Sequence, residues 1–206
     1  NYGTAMIVSA FVIILYTALG RFLAASTSDL MQSIVMTIAI FVVIIFGVTS
    51  VGGMDVVMDN AKSMTGYFSL TNTYNVGSDT GVPYAALSIA SAFAWGLGYF
   101  GMPHILLRFM AIQDASKLKL SRRIATVWVV VSMGVSILIG VVGNAMIKQG
   151  VLGKLDDPER IIVNIASLIS EHGVLAALIA GVILAGILAA TMSTADSQLL
   201  AASSSV

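Results

Sequence analysis

The stretch that decides the fold is Trp95-Gly-Leu-Gly-Tyr-Phe-Gly-Met-Pro-His-Ile-Leu-Leu-Arg-Phe-Met110. It lies at the end of a long uncharged run, yet it contains three glycines and Pro103 within eight consecutive positions. A glycine in a helix interior costs about 1 kcal/mol and a proline about 3 kcal/mol relative to alanine, so the pattern predicts an interrupted helix. In a membrane, unwound backbone is tolerated where it lines a cavity or a ligand site, so we expect a binding element here.

Trp95 and Tyr99 are four residues apart and therefore project from one helix face beside the predicted break. Two interpretations fit this spacing equally. In the first, the two rings line a binding site. In the second, the glycines form a packing face for a neighbouring helix and the rings belong to an aromatic belt at the membrane interface.

The composition is that of an integral membrane protein. The chain has 206 residues, of which 58% are hydrophobic and 10% charged, with a mean hydropathy of +0.97. Soluble domains carry about 25% charged residues. The net charge of zero and the lack of a basic patch interleaved with aromatics argue against nucleic-acid binding, and the lack of cysteine excludes disulfides and thiol chemistry. No motif of an intramembrane enzyme is present, so we expect no enzymatic activity.

Five apolar runs predict membrane spans, and they cover residues 4–20, 30–53, 81–103, 124–147 and 173–195. A short polar connection at 21–29 joins the first two spans, with a serine or threonine expected to cap the second helix. Residues 55–80 form a polar loop long enough to carry short helices of its own. In the loop at 148–172, Pro158 and the apolar periodicity after it predict a short amphipathic helix.

The distribution of positive charge predicts the orientation. The connection at 21–29 and the loop at 104–123 share one side and hold six Lys or Arg residues. The loops at 54–80 and 148–172 share the other side and hold four, together with seven acids. By the positive-inside rule the first side is cytoplasmic.

The last span offers a stripe of oxygen atoms. Ala190, Ser193, Thr194 and Ser197 follow the i, i+3, i+4, i+7 spacing of one helix face. Hydroxyl and carbonyl oxygens suit a hard cation such as sodium. The alternative is that these hydroxyls bond to carbonyls of their own helix or to a neighbouring helix.

Asp29 and Asp196 are the two acids nearest to membrane depth. A carboxylate well inside the bilayer costs about 2.5–3.5 kcal/mol or more, so each is expected at an aqueous cavity, in an ion pair or at the interface. The sequence alone predicts that both lie at the cytoplasmic interface of the membrane. Arg108 is expected on the same side of the membrane as Asp29.

Three motifs give the chain a closer resemblance. Residues 95–110, residues 187–200 with the serines 203–205, and Ser26-Thr-Ser-Asp29-Leu-Met-Gln32 resemble stretches of the solute/sodium symporter family, in particular of its bacterial sodium/proline branch. The match covers essentially the whole chain in order and spacing. In the third motif, Thr27 stands where tryptophan is frequent.

The resemblance implies an all-α integral membrane protein of the leucine-transporter type, built from inverted repeats, of which the five spans are core helices four to eight. Residues 1–206 are then part of a sodium/solute symporter transmembrane domain. The implied substrate-binding residues are Trp95, Tyr99 and Pro103. The implied sodium ligands are Ala190, Ser193 and Thr194, and the implied second sodium site or sodium path consists of Asp29, Asp196 and Ser197.

The function implied by the resemblance is sodium-coupled import of L-proline across the inner (plasma) membrane, with sodium as the coupling ion. Neither end resembles a natural terminus, so we expect this chain to be a piece of a longer one. The expected partners are the missing remainder of the same chain, including the first core helix, and the lipid bilayer. One alternative is another solute: pantothenate, another amino acid, a sugar or sialic acid. The other is a symporter-like sensory module of a membrane signalling kinase.

Overall fold

The computed structural model describes residues 2–75, 78, 80–99 and 101–204. In chain order the elements are α1 (Tyr2–Ser50), α2 (Met54–Ser63), β1 (Asn72–Asn75), β2 (Thr80–Pro83), α3 (Ala86–Tyr99), α4 (Pro103–Met110), α5 (Leu118–Lys148), α6 (Ile161–Ser170) and α7 (Val174–Ser204). Short 3-10 turns at Ala115–Lys117 and Pro158–Arg160 precede α5 and α6.

In the described part of the chain, three helical segments are long and apolar enough to cross a membrane: Ala25–Ser50, Ala115–Lys148 and Val174–Ser203. The second contains the span predicted at 124–147, and the third contains all but the first residue of the span predicted at 173–195. A shorter apolar segment, Gly3–Leu19, corresponds to the first predicted span. The chain is thus an integral membrane protein. The predicted count of five separate spans is not confirmed by the three long helices and the one shorter segment of the described residues.

The polar connection predicted at 21–29 is wrong, because α1 continues through it from Tyr2 to Ser50. This segment contains neither glycine nor proline, and its hydroxyls do not cap a new helix. Thr27 donates to the Leu23 carbonyl at 2.9 Å and Ser28 to the Ala25 carbonyl at 3.0 Å, so both bond back to their own helix.

The third predicted span, 81–103, is shorter than expected. Its first residues lie in β2, and α3 has 14 residues, about 21 Å of helix, which is less than the hydrocarbon thickness. The predicted interruption is confirmed: α3 ends at Tyr99 and α4 begins at Pro103. Phe100, in the middle of the motif, lies outside the described residues.

The loop predicted at 55–80 carries the short helix α2 and also a feature that an all-α class does not include. Residues 72–75 pair antiparallel with residues 80–83, with Tyr74 opposite Gly81. The amphipathic helix predicted after Pro158 is confirmed as α6.

The packing is built on α1. Helix α7 runs antiparallel to it, with Gly186 beside Ala39 and Ser193 beside Asp29. Helix α5 runs parallel to the second half of α1, with Trp128 bonded to Thr37. The buried apolar core lies among α1, α2, α5, α6 and α7, and its largest fully buried side chains are Val43, Val57, Ile139, Val142, Met146, Ile165 and Ile183.

The loops at 54–80 and 148–172 meet at one end of the helices, as predicted. Lys148 donates to the Ser63 hydroxyl at 2.9 Å and so joins the two loops. At the same end, the ring of His172 lies 5.6 Å from the ring of Phe46 in α1. The end that faces the cytoplasm stays a prediction.

Candidate functional site

Polar side chains of three helices meet at the end of the molecule opposite these loops. We call them the polar cluster; its members are Tyr16 and Asp29 of α1, Arg108 of α4, and Ser193, Asp196 and Ser197 of α7. The three α7 residues share one face, which is directed at α1, because residues three and four apart in a helix lie one above the other.

Asp29 is the centre of the first half of the cluster. It is 8% exposed, and both of its oxygens have partners. Oδ2 forms an ion pair with Arg108, and Oδ1 accepts a hydrogen bond from the Ser193 hydroxyl at 2.6 Å. Arg108 also donates to the Ser197 hydroxyl, so one guanidinium joins α1, α4 and α7. Its side chain is 46% exposed, which leaves the ion pair partly open to solvent.

Asp196 is the centre of the second half and is 0% exposed. The Tyr16 hydroxyl donates to its Oδ2 at 2.8 Å, and the Ser197 hydroxyl lies 3.3 Å from its Oδ1. Burying a carboxyl group without hydrogen bonds is costly, and these hydroxyls supply them. The interfacial position expected for Asp196 is therefore replaced by a buried one between two helices.

A small cavity adjoins Asp29 and Ser197. Its volume is about 20 Å³, which is room for one water-sized particle. Besides these two residues it is lined by Ala25, Ser26, His104, Leu107, Arg108 and Leu200. The cluster therefore combines oxygen atoms, a guanidinium and a void of the size of a single ion or water.

The residues predicted as sodium ligands are not all brought together. Ser193 points to Asp29, whereas Thr194 is exposed and donates to the Ala190 carbonyl of its own helix at 3.1 Å. Ala190 and the neighbouring Thr191 line a different, larger cavity of about 420 Å³ between α1, α5 and α7. Four of the residues predicted for sodium do converge in the polar cluster: Asp29, Ser193, Asp196 and Ser197.

The residues predicted to bind substrate lie on either side of the interrupted helix. The rings of Trp95 and Tyr99 are 5.9 Å apart and tilted by 37°, on one face as the spacing predicted. They are 69% and 49% exposed, and α3 has no buried residue. Pro103 opens α4, the helix that carries Arg108. Neither ring lines the cavity beside Asp29.

Sequence reasoning did not assign a functional role to Tyr16 or Arg108. The predicted position of Arg108 on the same side of the membrane as Asp29 is the signal in the sequence for the Arg108–Asp29 ion pair. Nothing in the sequence distinguishes Tyr16 from an ordinary tyrosine of an apolar run.

Comparison with known proteins identifies the family. The sodium:solute symporter family matches residues 1–206. The chain is 36% identical over 206 residues to Sodium/proline symporter 2 of Staphylococcus saprophyticus, covering 100% of this chain and 37% of that protein. Of two Bacillus subtilis proteins, it is 36% identical to the high-affinity proline transporter PutP and 39% identical to the osmoregulated proline transporter OpuE, and it covers 40% and 39% of them.

In each of these comparisons the whole of this chain is matched, and the chain spans about two fifths of the length of the relative. No solved structure matches it. The family match over the entire chain agrees with the membrane-length helices. The chain belongs to the sodium:solute symporter family.

Proposed function

We propose that this chain is part of a sodium-coupled importer of L-proline in the bacterial plasma membrane. The observation that carries the proposal is the family match over residues 1–206, together with relatives of 36–39% identity that are named as proline transporters. We further propose that the chain is part of one transmembrane domain and supplies core helices four to eight of an inverted-repeat fold.

Sodium is the coupling substrate in this proposal. We assign its binding to the Ala190 carbonyl and the hydroxyls of Ser193 and Thr194, because hydroxyl and carbonyl oxygens suit a hard cation. Asp29, Asp196 and Ser197 belong to a second site or to the path of the ion. The position of Asp29 beside a water-sized cavity supports this assignment.

L-proline binds beside the interruption between α3 and α4, at Trp95, Tyr99 and Pro103. The exposed, adjacent rings of the two aromatic residues support the assignment, since they are free to contact a solute or a further helix. Sodium moving down the membrane potential releases about 2.3 kcal/mol per 100 mV, and this free energy drives the solute uphill.

The test is uptake of labelled L-proline by the full-length protein in proteoliposomes, with an inward gradient of sodium or of choline. Uptake that requires sodium and is competed by unlabelled L-proline supports the proposal. Equal uptake in choline contradicts sodium coupling. Competition by pantothenate, another amino acid, a sugar or sialic acid, but not by proline, contradicts the assigned solute.

A further inference from the structure

The start of α5 carries a concentration of positive charge that the transport proposal does not use. Four cationic residues fall within seven positions: Lys117, Lys119, Arg122 and Arg123. All four are exposed. Among the residues that the structure describes, Arg108–Asp29 is the only ion pair, so none of the four cations is neutralised by a carboxylate.

These cations lie at the depth of the lipid headgroups. The uncharged part of α5 begins directly after Arg123 and runs for 24 residues, about 36 Å of helix, which is enough to cross the hydrocarbon core of about 30 Å. The turn that precedes it must then lie in the headgroup region. The positive end of the helix dipole adds to the same field.

Two of the cations, Lys119 and Arg122, border a groove whose other walls are apolar. The groove has a volume of about 480 Å³ and is lined by Phe109, Ala115, Leu118, Lys119 and Arg122. Lys119 and Arg122 are three residues apart and so lie side by side on the helix surface. An exposed aromatic ring and a leucine next to paired cations suit a ligand that has both an anionic and an apolar part.

One acid, Asp114, lies just before these cations in the sequence and reduces their charge only in part. Asp114 accepts a hydrogen bond from the backbone N–H of Ser116 at 2.9 Å, and this bond holds the pKa of the Asp114 carboxyl below its ordinary value. Its carboxylate therefore stays ionised and caps the turn at Ala115. Four cations against one carboxylate leave three positive charges at this end of α5.

We propose that the groove beside Lys119 and Arg122 binds the phosphate headgroup of an anionic phospholipid, with the glycerol and upper acyl carbons against Phe109 and Leu118. A lipid fits better than free phosphate because the groove is apolar on one side and adjoins the membrane-spanning part of α5. Each basic residue near an anionic membrane surface contributes about a fivefold change in affinity at low salt.

The test uses Trp128, which lies five residues after Arg123 and is exposed. The purified protein, carrying Trp95→Phe so that Trp128 is the remaining tryptophan of this chain, is reconstituted in phosphatidylcholine vesicles. Brominated phosphatidylglycerol or brominated phosphatidylcholine is then titrated in, and quenching is recorded. We expect half-maximal quenching at a lower mole fraction of brominated phosphatidylglycerol than of brominated phosphatidylcholine, and the ratio of the two mole fractions measures the preference for the anionic lipid. In Lys119→Gln/Arg122→Gln this ratio should fall about fivefold for each cation removed.

The matched control is Lys154→Gln/Arg160→Gln, which removes two exposed cations from the loop at the other end of the molecule and should keep the preference. In the protein without these substitutions, high choline chloride should weaken the preference, because salt screens exposed charges. The proposal would be overturned if both double variants kept the preference for the anionic lipid, or if both lost it equally. It would also be overturned if soluble inorganic phosphate abolished the preference. None of these outcomes depends on which solute is transported.

Discussion

The close contact between α1 and α7 at Gly186 gives the sharpest prediction about stability. A Cβ atom added at Gly186 would lie 2.9 Å from the Cβ of Ala39 and 3.7 Å from the Cα of Met36. The Ala39 methyl group has no rotamer that would move it away, so the two helices must separate. On the same helix, a Cβ added at Gly181 would meet nothing within 4 Å.

The magnitude follows from this difference. Overpacking a close contact costs about 1–3 kcal/mol, so we expect Gly186→Ala to lower the free energy of unfolding by that amount. Gly181→Ala creates no contact and replaces a poor helix former by a good one, which is worth up to about 1 kcal/mol. The two variants should therefore differ by about 1–4 kcal/mol.

The assay is unfolding of the purified protein from mixed micelles with a denaturing detergent, followed by circular dichroism. A second variant, Ala39→Gly/Gly186→Ala, moves the methyl group from one helix to the other and should recover much of the lost stability. The reasoning is refuted if Gly186→Ala and Gly181→Ala are equally stable, or if Ala39→Gly only adds to the loss.

Two further predictions concern the polar cluster. Asp29→Asn leaves Arg108 without its countercharge and should lower the free energy of unfolding by about 1–3 kcal/mol. The loss is smaller than for a fully buried pair because the guanidinium is half exposed. Asp156→Asn, on an exposed loop, is the control in the same detergent titration and should change the free energy of unfolding by less than about 0.5 kcal/mol. Tyr16→Phe removes the hydroxyl that donates to the buried Asp196 and should cost about 1–3 kcal/mol; an unchanged unfolding curve would contradict the importance of that bond.

The parts of the fold that local chemistry determines were predictable. Pro103 lacks a backbone N–H and so cannot continue the helix before it, and the interruption between Tyr99 and Pro103 follows from it, whereas Gly96 and Gly98 are accommodated inside α3. Proline at a first turn followed by periodic isoleucines similarly gave α6. These signals depend on backbone conformation and amphipathic periodicity, which the sequence shows directly.

The continuity of α1 could not be read from polarity. Residues 21–29 look like a loop because they contain serine, threonine and charge, yet no residue among them breaks a helix. Ser28 illustrates the ambiguity, since its hydroxyl can cap a new helix or bond back to the Ala25 carbonyl, and it does the latter. The helix ends instead at Ser50, just before Gly52 and Gly53, both of which have positive φ.

The candidate site was predictable residue by residue but not as an arrangement. The oxygen stripe of α7 follows from helical spacing, whereas the partners of that stripe come from positions far away in the chain. Arg108 is 79 residues from Asp29, and Tyr16 is 180 residues from Asp196. Such pairs depend on how the helices pack, which no local pattern contains.

The central claim is that sodium acts at the α7 face that carries Ser193. It is tested most directly by the sodium concentration that half-activates L-proline uptake in the full-length protein, compared for Ser193→Ala and Ser33→Ala. The Ser33 hydroxyl donates to the Leu30 carbonyl of its own helix at 2.8 Å, so its removal is the matched control. We expect Ser193→Ala to raise the half-activating sodium concentration about tenfold, the equivalent of one lost ligand bond of about 1.4 kcal/mol, and Ser33→Ala to leave it unchanged. A half-activating concentration that is the same in both variants would contradict the account.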